Sequence, residues 1–441
     1  MRIKLLGFLF LLVPLPALAV DIQTWQLENG AKVLFVESHE IPMATLRVTF
    51  DAGSARDPEQ LPGLAAFTAG LLEEGAGGLN VDQLGEQLDR TGGQVSTFAD
   101  RDQAGIQVKT LSDPQLRQQV GELAALMLTR PDFPEDAIAR EKQRTLAGIA
   151  MEDEDPGTVA SKAFFKAAYG EHPYAHPTSG TRDSVPRFQR QHLLDFYKQY
   201  FVGANAVVAL VGDLSRPQAE AWVRQVVGQL PQGSAPAPLP AAPRLNAPTK
   251  LFVHMPVNQT TIYMGEPAMR RLSPDYFPLL VGNYTLGGGG FSSRLMEEVR
   301  EKRGLSYSVY SYFMPLQQQG PFQAGLQTST KQAAAALTVM RDSIERYTKT
   351  GPTPQELKAA KDNLTGSFPL RIDSNAKILE YLSLIGFYGL PLNYLDTFQQ
   401  RVEQVRADEI RRAMDQHLNP ARMAVVAVGS EPPGPDFTPA R

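Results

Sequence analysis

The sequence contains no cysteine. That excludes disulfides, thiolate metal sites and a lipid-modified N-terminal cysteine. A chain of 441 residues without cross-links must be held by its apolar cores, and its length permits more than one. Histidine is scarce. There are six, His39, His172, His176, His192, His254 and His417, and none falls in a His-x-x-Glu-His or His-Glu-x-x-His pattern. His172 and His176 are four apart, but Pro173 and Pro177 oppose a continuous helix, so the pair reads as a turn-rich surface loop. Runs of Lys or Arg are missing, which argues against nucleic acid as a partner. After the first residues no apolar stretch is long enough to span a bilayer.

Those first residues have their own pattern. Arg2 and Lys4 precede an apolar run from Leu5 to Leu15, and Ala17-Leu-Ala19 supplies small residues for cleavage. The run is short for a membrane span and is interrupted by Pro14. Residues 1–19 therefore read as a signal peptide cleaved after Ala19, which places the mature chain in the periplasm or outside the cell. Arg2 and Lys4 would leave with it, giving 41 basic against 47 acidic residues.

What is present is a repeat. Short alternating strands, such as Leu46-Arg-Val-Thr-Phe50, are followed by long amphipathic helices. Near Pro231–Pro248 the composition turns to Pro and Ala with little charge, which reads as a stiff linker over 231–249. The same order of elements then returns. Pro134 and Pro354 each enter a helix, and Val207-Val-Ala-Leu-Val-Gly212 is matched by Val425-Val-Ala-Val-Gly429. Two halves, 20–230 and 250–431, of the α+β class are expected, with a frayed tail over 432–441.

The stretch from Gly287 to Tyr307 is the most distinctive. A run of four glycines opens into a helix, Gly304 stops it, and a strand follows. The run lacks the Gly-Lys-Ser/Thr ending of a phosphate loop. Arg300 and Tyr307 stand at its end, a charged fork and a phenolic hydroxyl that suit a peptide carbonyl or an oxyanion. Arg303 is a nearby alternative to Arg300, four residues from the tyrosine. Glu73 and Glu74 are adjacent and diverge on a helix. The acidic run Glu152 to Asp155 lacks the spacing of a calcium loop.

Phe291-Ser-Ser-Arg-Leu, then Arg300-Glu-Lys-Arg-Gly-Leu-Ser-Tyr307, then His172-Pro-Tyr-Ala-His-Pro-Thr-Ser-Gly180 and the duplicated layout together resemble the insulinase-like zinc peptidases, which include pitrilysin and mitochondrial processing peptidase. The resemblance implies that each half is an antiparallel sheet of about six strands backed by helices. It also implies a zinc site from His-x-x-Glu-His on the first helix and a glutamate about 75 residues on. In this sequence Ala66, Ala69 and Gly70 stand at those positions, and the distal ligand falls at Ala147 or Gly148. None can ligate a metal or carry a proton. The family's arginine and tyrosine, seven residues apart, are matched by Arg300 and Tyr307. The expectation is a non-metal-binding subunit that binds peptide and lends this pair to a zinc-motif-bearing partner of the same family. Zinc would sit in that partner. The alternative is a stand-alone peptide-binding or structural protein of the bacterial envelope.

Overall fold

The computed structural model describes residues 20–440, so the expected signal segment lies outside the described residues. The N-terminal half runs β1 (Gln23–Gln26), β2 (Lys32–Glu37), β3 (Met43–Phe50), α1 (Leu64–Gly70), a small hairpin of β4 (Gly75–Ala76) and β5 (Leu79–Asn80), α2 (Val81–Thr91), β6 (Gln94–Ala99) and β7 (Ala104–Leu111). It continues with α3 (Pro114–Thr129), α4 (Glu135–Glu152), α5 (Pro156–Tyr169), α6 (Arg190–Tyr200), β8 (Ala206–Gly212) and α7 (Arg216–Val227). The C-terminal half runs β9 (Thr249–His254), β10 (Gln259–Met269), α8 (Tyr276–Asn283), β11 (Ser308–Phe313), β12 (Gly320–Ser329), α9 (Ala333–Thr350), α10 (Pro354–Gly366), α11 (Asn375–Tyr388), α12 (Tyr394–Gln404), α13 (Ala407–His417), β13 (Ala424–Gly429) and β14 (Thr438–Pro439).

Two sheets of six strands result, ordered β1-β2-β8-β3-β7-β6 and β11-β12-β10-β13-β9-β14. The repeat is now explicit. The path β2-β8-β3-β7-β6 is retraced by β9-β13-β10-β12-β11. Both sheets are antiparallel except where β2 runs parallel to β8, and β9 runs parallel to β13 and β14. The tail is not frayed as expected. Thr438 and Pro439 pair with Leu251 and Phe252, and Asp436 forms an ion pair with Lys250.

Every residue of β8 and of β13 is buried. An unbroken apolar strand needs cover on both faces, and here each half supplies the other's. One face of the first sheet, with Val33, Phe35, Leu46, Val48, Ile106 and Leu210, packs into its own half's core. The opposite face, with Leu34, Val36, Val207, Ala209 and Val211, packs into the core that contains Leu379, Leu382 and Ile385 of α11. Reciprocally, Phe164, Phe165, Ala168 and Tyr169 of α5 lie with Val426 and Val428 of the second sheet. Both helices precede the helix that leads into the closing apolar strand, α5 directly before α6 and α11 two helices before α13. Gly386 permits the close approach of α11, since a Cβ there would meet Val207 Cγ1 at 2.5 Å and Leu34 Cδ1 at 2.7 Å.

A buried carboxylate ties the exchange together. Asp102, in the β6–β7 turn, is 1% exposed. Its Oδ1 accepts the Tyr174 hydroxyl at 2.7 Å, and its Oδ2 accepts the Gln317 N–H at 2.8 Å and the Tyr388 hydroxyl at 2.9 Å. Two of these three donors come from the C-terminal half. Tyr174 Oη in turn accepts the Gln318 N–H at 3.0 Å. Beside it the Arg101 guanidinium lies over the Phe165 ring at 3.5 Å, and burial pulls its pKa down to about 10. The proline-rich linker is bound along this seam. Arg56 donates to Ala237 O at 2.7 Å, Gln318 to Leu239 O at 3.0 Å, and His172 Nε2 to Pro240 O at 3.0 Å.

The His172–Gly180 stretch is therefore not the surface loop that its prolines suggested. His172 and Tyr174 are buried, and the segment is one wall of the seam. Its two histidines flank a single turn over Pro173–Ala175, and His172 Nδ1 accepts the Tyr174 N–H at 3.1 Å. Both ring nitrogens of His172 are thereby spent on the fold.

Two outcomes follow for the seam. Gly386→Leu is expected to lose roughly 1–3 kcal/mol through overpacking against Leu34 and Val207. Asp102→Asn keeps one acceptor but turns an amide donor toward the remaining donors, for an expected loss of roughly 2–4 kcal/mol in denaturant unfolding. Burial pushes the Asp102 carboxyl up to about 6, although three donors favour its anion. The stability tied to the protonated form is thus complete below about pH 4 and is lost as pH rises through about 6. The gap between wild type and Asp102→Asn should be widest near the acid end and shrink toward neutrality. A gap that grows with pH contradicts this.

Candidate functional site

The glycine run does not open into an ordinary helix. From α8 the chain passes into a wide turn over Tyr284–Gly288, then a tight turn over Gly290–Ser292, then a second wide turn over Met296–Glu301. Wide turns of this kind recur where side chains are re-aimed for function. The glycines have separate tasks. A Cβ on Gly287 would meet Ser311 Oγ at 2.4 Å and Ser311 N at 2.6 Å, so only glycine lets this turn lie on β11. Gly290 takes φ +59°, which favours glycine. Ser292 and Ser293 close the turn by donating to Gly289 O and Gly290 O at 2.9 and 2.7 Å. Asn283 and Ser311 fix it to the strand, through Asn283 Nδ2 to Ser311 O at 2.9 Å and Ser311 Oγ to Asn283 Oδ1 at 2.7 Å. Gly304, at φ +60°, ends the helical segment by donating to Arg300 O at 2.8 Å.

Three arginines lie in this segment, and two are occupied. Arg294 makes a two-pronged contact with Glu356 at 2.6 and 2.7 Å and lies against the Tyr347 ring. Arg303 donates to Glu298 O at 2.7 Å and to Glu298 Oε2 at 2.8 Å. Arg300 has no hydrogen bond or ion pair from its side chain among the described residues. Its guanidinium lies 4.8 Å from the centroid of Phe291, a ring that is 68% exposed. Tyr307 is 85% exposed and its hydroxyl is likewise free among the described residues. The structure thus separates Arg300 from Arg303, which spacing alone left as alternatives. It leaves a cation beside an exposed apolar ring and, seven residues on at the start of β11, an exposed phenol.

The positions expected for metal chemistry lie in the other half, on α1, which packs against β6 and β7. The buried Asp57 sets the start of this helix. Its carboxylate accepts the N–H groups of Gly63 and Ala65 at 2.6 and 2.7 Å, and burial pushes it up to about 8. Ala66 is partly exposed, Ala69 is buried, and a Cβ at Gly70 would meet nothing within 4 Å. There is room at Gly70 for a ligand side chain, and none is there. These residues cannot hold a zinc ion. Among the described residues no group of three or more His, Asp or Glu is placed to bind a metal. Nor does α1 share a sheet with Arg300 and Tyr307, which border the outer strand of the second sheet.

Glu73 and Glu74 do diverge. Glu74 pairs with Arg140 at 3.1 Å. Glu73 turns the other way and accepts the Thr97 N–H at 2.6 Å. Since β6 is an outermost strand, Glu73 occupies a backbone donor that a further strand would need. Sequence reading missed this contact, which depends on a sheet order that no local pattern carries. It also missed Asp102, an unremarkable residue of a polar turn in the sequence.

Comparison with known proteins bears on this geometry. Residues 32–182 match the family profile of insulinase, peptidase family M16, and residues 187–364 match that of the peptidase M16 inactive domain. A crystal structure of a peptidase M16 inactive domain from Pseudomonas fluorescens superposes with a TM-score of 0.89 at 39% identity, covering 93% of this chain and 99% of that one. A non-peptidase homolog from Helicobacter pylori, YmxG, is 28% identical over 413 residues, covering 92% of this chain and 94% of its own. An uncharacterized zinc protease of Streptomyces coelicolor is 26% identical over 394 residues, covering 87% and 84%. Both halves, the fold throughout and the relatives agree, and the chain belongs to the insulinase family of peptidases, M16.

Proposed function

We propose that this chain is the non-metal-binding subunit of a two-chain zinc peptidase. It holds the substrate peptide and completes the active site of a partner that carries the zinc motif. One observation supports the reading: Arg300 and Tyr307, seven residues apart, are both unpaired among the described residues while the neighbouring arginines are tied down. A guanidinium fork there is suited to hold a substrate backbone carbonyl, and the phenol is suited to donate to the oxyanion that forms when water adds to the scissile carbonyl. Zinc and the base that activates the water would belong to the partner. Ala66, Ala69 and Gly70 offer neither, and the similarity to the H. pylori non-peptidase homolog supports inactivity of the chain alone. The reading includes export through residues 1–19, so the pair would work in the periplasm or outside the cell, on peptides and unfolded segments.

The test is a reconstituted pair with a zinc-motif chain of this family. Tyr307→Phe is expected to lower kcat by about 10²-fold, the usual effect of losing one oxyanion donor. Arg300→Ala is expected to lower kcat/KM by ~10-fold or more. Both side chains are unpaired and Tyr307 is exposed, so unfolding free energies should move by no more than about 0.5 kcal/mol. Unchanged turnover in both variants removes the proposed roles. Failure of any pair to form would favour the alternative, a stand-alone peptide-binding or structural protein of the envelope.

A further inference from the structure

A second cation is unpaired, and it lies deeper. Arg271 follows β10, where its N–H donates to Leu316 O at 2.8 Å. Its guanidinium sits between the rings of Tyr276 and Tyr388, 5.7 and 5.3 Å from their centroids. Its Nε is shut off from solvent and has no acceptor. It forms no ion pair among the described residues. A buried donor without an acceptor calls for an explanation, and a ligand that supplies the acceptor is one.

Arg271 also lies where cavities meet. It lines four, of about 340, 400, 440 and 530 Å³, within the range of ligand sites. The 440 Å³ cavity is the informative one. Two arginines line it, Arg271 and Arg371, neither with a carboxylate partner among the described residues, while Lys377 is neutralised by Asp373 at 2.8 Å. Glu380 is the one acidic lining residue, and it makes no ion pair with either arginine. The rest of the lining sets Leu280, Leu370, Leu384 and Phe398 among the rings of Tyr276, Tyr381 and Tyr394, a wall that is apolar and aromatic apart from the phenol hydroxyls. The site therefore asks for a compact anion joined to an apolar group of about one side chain. A planar, weakly hydrated guanidinium is matched by a carboxylate.

We propose that this cavity binds the C-terminal end of a peptide, with its free carboxylate on Arg271 and its last, apolar side chain against Leu280, Leu384 and Phe398. The assignment deepens the peptide-binding reading and rests on it for the choice of a peptide as the carboxylate's carrier. Arg300 and Tyr307 would hold the backbone, whereas Arg271 would read where the chain ends.

The experiment uses the whole chain without a partner and a fluorescent hexapeptide ending in leucine, made as the free acid and as the C-terminal amide. Anisotropy titration is expected to show the acid binding at least roughly tenfold more tightly. Arg271→Gln should abolish that preference. Leu384→Trp, which fills the cavity and leaves the arginine in place, should weaken the acid by a similar factor. Equal binding of acid and amide by the wild type overturns the proposal even if Arg271→Gln fails to fold. So does an acid preference that survives in a folded Arg271→Gln, or full displacement of the peptide by decanoate at equal concentration, which would assign the cavity to an acyl chain. No arm measures cleavage, so failure here leaves the trans-active-site reading intact. Loss of that reading through unchanged turnover in Arg300→Ala and Tyr307→Phe would not by itself remove an acid preference.

Discussion

Neither sheet of this protein is covered on both faces by its own half. The exchange of α5 and α11 supplies the missing cover, and the rest of the structure depends on it. The two halves then cannot separate without exposing an apolar face of each sheet, at about 25 cal/mol for every Å² returned to water. Asp102 lies where the exchange is pinned. Its carboxylate joins the β6–β7 turn, the Tyr174 turn, the β11–β12 hairpin and the end of α11. Buried polar groups of this kind carry a desolvation penalty, and when fully partnered they fix one arrangement among many apolar ones. Opening the seam between the halves would break these hydrogen bonds and expose both apolar faces.

The same rigidity gives meaning to Arg300 and Tyr307. They are carried by a segment that Asn283, Ser311 and Gly287 press onto the outermost strand of the second sheet. Neither side chain has a hydrogen-bond or ion-pair partner among the described residues. On the first sheet the corresponding edge is treated differently, with Glu73 covering the Thr97 amide. One half presents free groups and the other presents filled ones. That asymmetry within a duplicated fold agrees with a chain that contributes contacts to an active site without containing one.

Much of this was legible in the sequence, for identifiable reasons. Unbroken apolar runs such as Val207–Val211 announce strands covered on both faces, and their recurrence near Val425 announces the repeat. The spacing of Arg300 and Tyr307 drew attention to the segment but left Arg303 as an alternative, and only the contacts of Arg303 with Glu298 set it apart. Other features were not legible. Pro173 and Pro177 indicated a turn, and local pattern cannot tell an exposed turn from one buried in a seam. The tail after Pro432 looked frayed because two paired residues leave no periodic trace. Asp102, Glu73 and Arg271 draw their significance from residues about 25 to nearly 290 positions away, or, for Arg271, from the lack of any partner. Only the folded chain shows such relations.

The central claim is that this chain supplies a substrate clamp and no metal chemistry. Peptide hydrolysis measured while this chain is titrated into a fixed amount of a zinc-motif chain tests it most directly. Negligible cleavage by this chain alone in excess zinc is expected, with activity that rises with the titration and saturates at one chain per partner. Chelator-sensitive hydrolysis by the pure single chain, or partner activity indifferent to its addition, would contradict it.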